Sequence, residues 1–234
     1  MAQREALSQV RISVRNLVEF VMRSGDLDDR RMAGAKKEAM QAGSRLHRKI
    51  QRRMGSDYQA EVSLKHTVKE DSFELLIEGR ADGIITEPGG VTIDEIKCIY
   101  MDPGRLEEPD PVHMAQALCY GTIYAVHHDL EEIGIQLTYC NIETEEIRRF
   151  KEVKTREELE DWFKGLIHEY VKWARYLYHH RMRRQECLKT LQFPYAYREG
   201  QKELAACVYR SVGETSISRR LPEWERRFLP YFPA

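Results

Sequence analysis

Cysteine is sparse and scattered. Cys98, Cys119, Cys140, Cys187 and Cys207 are odd in number and form no CxxC pair. That argues against a disulfide framework and a structural zinc site, and predicts buried, reduced thiols. Long apolar runs are missing too: nothing approaches the roughly 20 residues that span a bilayer. The opening MAQREALSQVRISVRN lacks the apolar centre of a signal peptide, so a cytoplasmic setting is expected. Neither sign of charge dominates. Lys and Arg total 37 against 38 Asp and Glu, a formal net charge of −1. No global field therefore advertises a polyanion partner, and such recognition would rest on local clusters. There is no internal repeat and no low-complexity segment. No G-x-x-x-x-G-K-[ST] phosphate loop occurs anywhere in the 234 residues, so ATP hydrolysis is not expected.

What is present reads as a soluble globular domain, 42% hydrophobic and 32% charged, long enough for one well-packed core and an appendage. Val14, Leu17, Val18 and Val21 predict a short helix, ended by the run Ser24 to Asp29. Residues 30–54 predict a basic amphipathic helix, with Ala35, Ala39, Ala42, Leu46 and Ile50 at helical spacing. A strand around Val62 to Val68 precedes FELLIEGRADGII. The turn signal EPGG (Glu87–Gly90) separates that segment from the strand VTIDEIKCIY. After a loop rich in Pro and Glu, residues 112–128 are apolar on one helical face. Ile133 to Ile142 alternates like a strand, and Ile147 to Lys154 is its hairpin partner. Thr155 and Glu158 form a capping box for a helix running to about residue 189. The order α-β-β-β-α-β-β-α predicts an α/β (α+β) fold, a mixed central sheet flanked by helices. Trp162 and Trp173 on the last helix read as core, and His127–His128 as the end of the helix before Asp129. The segment YLYHHRMRR, with His179, His180, Arg181, Arg183 and Arg184, fits a phosphate contact or a solvated helix end equally well.

The stretch IEGRADGIITEPGGVTIDEIKC, Ile77 to Cys98, carries the chemistry. It predicts two strands joined by a Gly-rich turn, with Gly79 and Asp82 at the end of the first. Glu95 and Lys97 share a face of the second because strand side chains alternate. Asp82 can then lie beside them. Asp94 should face away, although a register error of one residue would exchange it with Glu95. Glu78 shares strand parity with Asp82 and reads as an ordinary exposed residue. Two carboxylates and an ammonium on one face are poor packing material, but they suit a divalent cation and a phosphate.

Asp82 followed by Glu95-x-Lys97 resembles the signature of PD-(D/E)xK nucleases. Further residues resemble the RecB-like branch and the CRISPR-associated exonucleases: Gly79-x-x-Asp82, Gln116 and Tyr120 in MAQALCYGTIYA, and His47 four residues after Gly43. The resemblance covers roughly residues 10–185. It implies a restriction-endonuclease-like core over residues 1–190 and a metal-dependent deoxyribonuclease, an exonuclease on single-stranded or frayed DNA ends in repair or recombination. Asp82, Glu95, the Ile96 backbone carbonyl and His47 would hold Mg²⁺ or Mn²⁺. Lys97 would orient or deprotonate the attacking water, and Gln116 and Tyr120 would position DNA or water. Arg45, Arg48 and Arg52, on the helix that carries His47, are expected to contact the DNA backbone. Some relatives hold an iron–sulfur cluster through one early and three late cysteines. With no cysteine before Cys98 and no late triplet, no cluster is expected here.

From residue 191 the character changes. Phe193, Pro194, Tyr197, Arg198 and Gln201 resemble the aromatic-Pro-x-x-R-x-x-Q element that opens DinG/XPD-type helicases. Residues 191–234 then read as the truncated beginning of a helicase domain, and a helicase domain or subunit as a partner. The alternative to an enzyme is a non-catalytic DNA-binding module serving such a helicase.

Overall fold

β3 (Phe73–Glu87) organises the sheet. In this computed structural model, which describes residues 8–24, 33–190 and 194–214, five other strands assemble around it: β1 (Ser8–Ser13), β2 (Tyr58–Lys69), β4 (Gly90–Ile99), β5 (Glu132–Asn141) and β6 (Ile147–Thr155). The order is β1-β3-β4-β5-β6, with β2 also paired to β3. β1–β3 and β4–β5 are parallel; β2–β3, β3–β4 and β5–β6 are antiparallel. The sheet is therefore mixed and flanked by helices. Nothing in the sequence marks β1 as a strand, because SQVRIS has too few apolar residues for a period to show. It qualifies as a strand through its parallel neighbour.

Helices cover both faces. α1 (Val14–Val21), α3 (Pro111–His128) and α4 (Arg156–Thr190) contribute Leu17, Val18, Ile123, Leu159, Phe163 and Ile167 to one core with Leu75, Ile77, Ile93, Ile135 and Leu137. Each fully buried aliphatic side chain there contributes about 1.5–3 kcal/mol. α2 (Ala33–Arg53) sets Leu46 and Ile50 against Ile96 and Cys140, a smaller second cluster. The helix starts follow their cap residues. Asp110 Oδ1 accepts from the Val112 and His113 N–H groups at 2.8 and 3.3 Å, with Pro111 at the first helical position. The Thr155/Glu158 capping box forms in both directions, at 2.9 and 3.3 Å. α3 ends at His128, and Asp129 follows in the left-handed region (φ 52°).

Three expectations need correction. Gly79 and Asp82 do not end a strand: β3 runs unbroken to Glu87. Trp173 is 48% exposed rather than core, in edge contact with Phe20. Cys187 and Cys207 are exposed, whereas Cys119 and Cys140 are buried; all five thiols are free.

The chain divides into two compact units, Met1–Arg183 and Arg184–Ala234. Within the second, α5 (Gln201–Glu214) is preceded by a turn in which the Arg198 N–H donates to Gln201 Oε1 at 3.0 Å. Phe193 and residues 215–234 lie outside the described residues.

One titration is built into the first unit. His66 on β2 meets the Phe163 ring edge-on at 5.7 Å, with His127 at 6.2 Å. Burial, then the charge of His127, lowers its pKa against the opposing pull of Glu160. A depressed imidazole stabilises the fold above its unfolded pKa of about 6.5, and that contribution is lost as pH falls through the folded value. His66→Leu should therefore flatten the decline in melting temperature between pH 7 and 5. An unchanged slope in a thermal-shift titration would contradict this.

Candidate active site

The site lies where the edge of β3 changes partner. β2 pairs along one edge, from Tyr58 opposite Ile85 to Lys69 opposite Glu74. The other edge is shared: β1 pairs with Phe73–Glu78, and β4 with Gly83–Glu87. Residues 79–82 occupy the fork. There the alternation slips, because the residues that β3 gives to the main core run Phe73, Leu75, Ile77, Ala81 and then Ile84. Opposite Asp82 on β2, Glu61 takes φ 58°, a left-handed conformation inside a strand. The slip removes Glu78 from the parity of Asp82 and leaves it exposed. Side chains seal the fork. Asp82 Oδ2 accepts the Ile96 N–H at 2.8 Å, and Gln51 Nε2 donates to the Asp82 carbonyl at 2.9 Å and to Glu61 Oε1 at 3.0 Å.

Glu95 and Lys97 point together, as strand parity requires. Lys97 Nζ donates to Glu95 Oε1 at 2.8 Å and to Gln116 Oε1 at 2.6 Å. Glu95 is only 5% exposed. Its Oε2 is, among the described residues, the one buried side-chain polar atom with no hydrogen-bond partner. Burial first, then the charge of Asp82, pushes the Glu95 carboxyl up to about 7, against the charge and hydrogen bond of Lys97. His47 Nε2 stands 3.0 Å from Asp82 Oδ2. Burial works to lower the His47 pKa, but the hydrogen bond and charge of Asp82, aided by Glu61 and Glu95, hold it above its ordinary value. Tyr120 lies directly over Gly79. A Cβ there would come within 2.8 Å of the Tyr120 ring and hydroxyl, so glycine is what admits the tyrosine.

A cleft of about 1260 Å³ opens over this set, and His47, Asp82, Glu95, Ile96, Lys97, Gln116, Tyr120 and Arg48 all line it. Arg45 and Arg52 are exposed on α2 outside that lining. Lys49 and Arg53 are engaged by Glu145 of the β5–β6 turn. Further titratable residues line the cleft with no motif to mark them in the sequence: Arg15, Glu19, Glu61, Arg80 and His113. His113 was legible as the residue three before Gln116 on one helical face. Arg15 and Arg80 carry no local signal beyond their charge.

Asp94 faces the other way and is fully buried. It accepts from Thr138 Oγ1 at 2.6 Å, Gln136 Nε2 at 3.0 Å and the Tyr58 hydroxyl at 3.3 Å. Burial raises its pKa, and the Thr138 and Gln136 bonds oppose the shift. Its role is to tie β4, β5 and β2 together beneath α2.

The donors suit a hard or borderline divalent cation. Asp82 and Glu95 supply carboxylate oxygens and His47 an imidazole nitrogen, and the unpartnered Glu95 Oε2 is an oxygen that a cation would satisfy. His47, Glu61 and Asp82 each offer a ligand atom within 4.8 Å of the others'.

The fold and site thus define a mixed α/β domain with an acidic, lysine-bearing cleft. No protein-family model and no curated protein matches the chain. Among solved structures, the chain is similar to SSO0001 at 19% identity, over 71% of this chain and 78% of that one, with a TM-score of 0.43. It is similar to LHK-Exo, an alkaline exonuclease from Laribacter hongkongensis solved with dAMP, at 14% identity over 76% and 94%, TM-score 0.45. A phage-related exonuclease from Haemophilus somnus 129PT matches at 15% identity over 72% and 82%, TM-score 0.36.

Proposed function

We propose that residues 1–190 form a metal-dependent nuclease of the RecB-like PD-(D/E)xK type, hydrolysing phosphodiester bonds of DNA, with single-stranded or frayed ends as substrate. The observation that carries this reading is the Glu95 carboxylate. It is buried, with one oxygen on Lys97 and the other unpartnered, in a cleft shared with Asp82 and His47. A fold has no use for an unpaired buried oxygen, which costs about 1–3 kcal/mol. A cation site does.

Asp82, Glu95, His47 and the Ile96 carbonyl would hold Mg²⁺ or Mn²⁺. When bound, the cation supplies charge stabilisation at the phosphate and lowers the pKa of water at the site. Lys97, fixed between Glu95 and Gln116, would orient the attacking water and offset the charge that develops on the phosphate with its ammonium. Gln116 and Tyr120 form the wall against which the scissile phosphate is set. Arg48, at the cleft, and Arg45 and Arg52, further out on the same helix, extend positive charge along a DNA backbone. Exonuclease action is favoured because nothing among the described residues reads as a base-recognition element.

Residues 191–234 are proposed as the link to a DinG/XPD-type helicase, on the sequence pattern Phe193, Pro194, Tyr197, Arg198 and Gln201. The accessory-module alternative is disfavoured, because a non-catalytic domain would have no reason to keep every donor in the cleft.

The test is digestion of end-labelled single-stranded and duplex DNA with Mn²⁺, Mg²⁺ or EDTA, beside Asp82→Asn. Cleavage should require a metal and vanish in the variant. DNA binding without cleavage under every condition would move the assignment to the accessory module.

A further inference from the structure

We propose that Glu61 is a third carboxylate donor of this cation site, alongside Asp82 and Glu95 and outside the D…E-x-K motif. The inference rests on the proposed function only in requiring a divalent cation at the cleft.

The placement is specific. Glu61 sits opposite Asp82 on the neighbouring strand, at the one step between Tyr58 and Lys69 where the β2–β3 pairing is interrupted. Its φ of 58° is uncommon for a residue with a long side chain. The side chain lines the cleft rather than the outer surface of β2. Oε1 receives Gln51 Nε2 at 3.0 Å and lies 3.9 Å from His47 Nδ1, while Oε2 pairs with the Arg80 guanidinium. Its donor atom falls within 4.8 Å of those of His47 and Asp82.

These contacts alone would describe an ion-pair cluster. The independent pointer to a ligand is Glu95 Oε2, buried and unpartnered, on a residue that lines the same cleft. Glu61 then sets a further carboxylate near a centre that already holds two. Arg80 is a replaceable partner for it: its side chain is 65% exposed, and exposed ion pairs are worth little. Gln51 braces both the Glu61 carboxylate and the Asp82 carbonyl, so one amide holds both members of the pair in place.

The experiment is a Mn²⁺ titration of the full chain without DNA, by calorimetry or by loss of the free Mn²⁺ electron-spin signal. Glu61→Gln should weaken binding at least about tenfold, the scale of losing a group that supports a metal site. Glu61→Asn, whose side chain tolerates the left-handed backbone, should do the same even if the Gln variant folds poorly. Glu61→Asp should recover part of the affinity. Glu19→Gln removes the same charge from the cleft lining and should change affinity less than about twofold, as expected of an exposed charge. Arg80→Ala should not weaken binding. If Glu61→Gln binds like the wild type while Asp82→Asn loses the metal, the role of Glu61 is overturned and the site stands. If Glu19→Gln falls as far as Glu61→Gln, the effect is charge alone and the proposal fails. A wild type that takes up no Mn²⁺ overturns both readings.

Discussion

Lys97→Ala should lower metal-dependent DNA cleavage about a thousandfold, the middle of the range for a positioned acid–base group. The same variant should bind Mn²⁺ poorly at pH 7 and nearly normally at pH 9. The reason is the carboxylate beside it. Lys97 donates to Glu95 Oε1, and both its charge and this bond pull the Glu95 pKa down towards about 7. Without them the carboxyl titrates higher, and a protonated carboxyl cannot ligate a cation. Raising the pH removes that proton and restores binding, but it does not restore the ammonium. The binding defect and the rate defect should therefore separate along the pH axis. If cleavage by Lys97→Ala returned to the wild-type rate at pH 9, the lysine would only keep Glu95 ionised and would have no part in the chemistry.

The fold class and the side-chain directions within single elements are legible in the sequence, whereas the long-range pairing is not. Strand parity alone placed Glu95 and Lys97 together and turned Asp94 away, and i, i+4 spacing put Gln116 and Tyr120 on one face of α3. Those rules are local, so one strand or helix suffices to apply them. The fork in the sheet is not local. It needs β1, whose pairing with β3 joins Ser8–Ser13 to Phe73–Glu78 across some 65 residues, and it needs the slip opposite Glu61. No residue pattern announces a left-handed glutamate. Glycine or asparagine would have suggested the irregularity, and Glu61 suggests the opposite. A strand therefore looks finished at Asp82 in the sequence, where the structure continues it to Glu87, and nothing local marks Glu61 or Arg80. Gly79 was visible as a motif position, but its physical reason, the tyrosine ring packed on its Cα, appears only when α3 is laid over β3.

The neighbouring carboxylates Asp94 and Glu95 should respond to truncation in opposite ways. Asp94→Ala strips the acceptor from Thr138, Gln136 and Tyr58 in a fully buried setting. Leaving such donors unsatisfied should cost about 3 kcal/mol, or roughly 6–12 °C in melting temperature for a unit of this size. Mn²⁺ affinity, measured where the variant is still folded, should stay within about threefold, because Asp94 points away from the cleft. Glu95→Gln should do the reverse. A carboxyl whose folded pKa is raised to about 7 from an ordinary value near 4.5 binds its proton more tightly in the folded state. Its stabilising contribution is full below pH 4.5 and is lost as pH climbs through 7. At pH 8 the metal-free protein carries that penalty, and the amide does not. Glu95→Gln should therefore melt higher than wild type at pH 8, melt close to it at pH 4.5, and lose both Mn²⁺ binding and cleavage. The two melting curves with their Mn²⁺ isotherms test the register of β4 directly. A stable Asp94→Ala that no longer binds Mn²⁺, beside an unstable Glu95→Gln that still does, would mean that the strand presents the other face to the cleft.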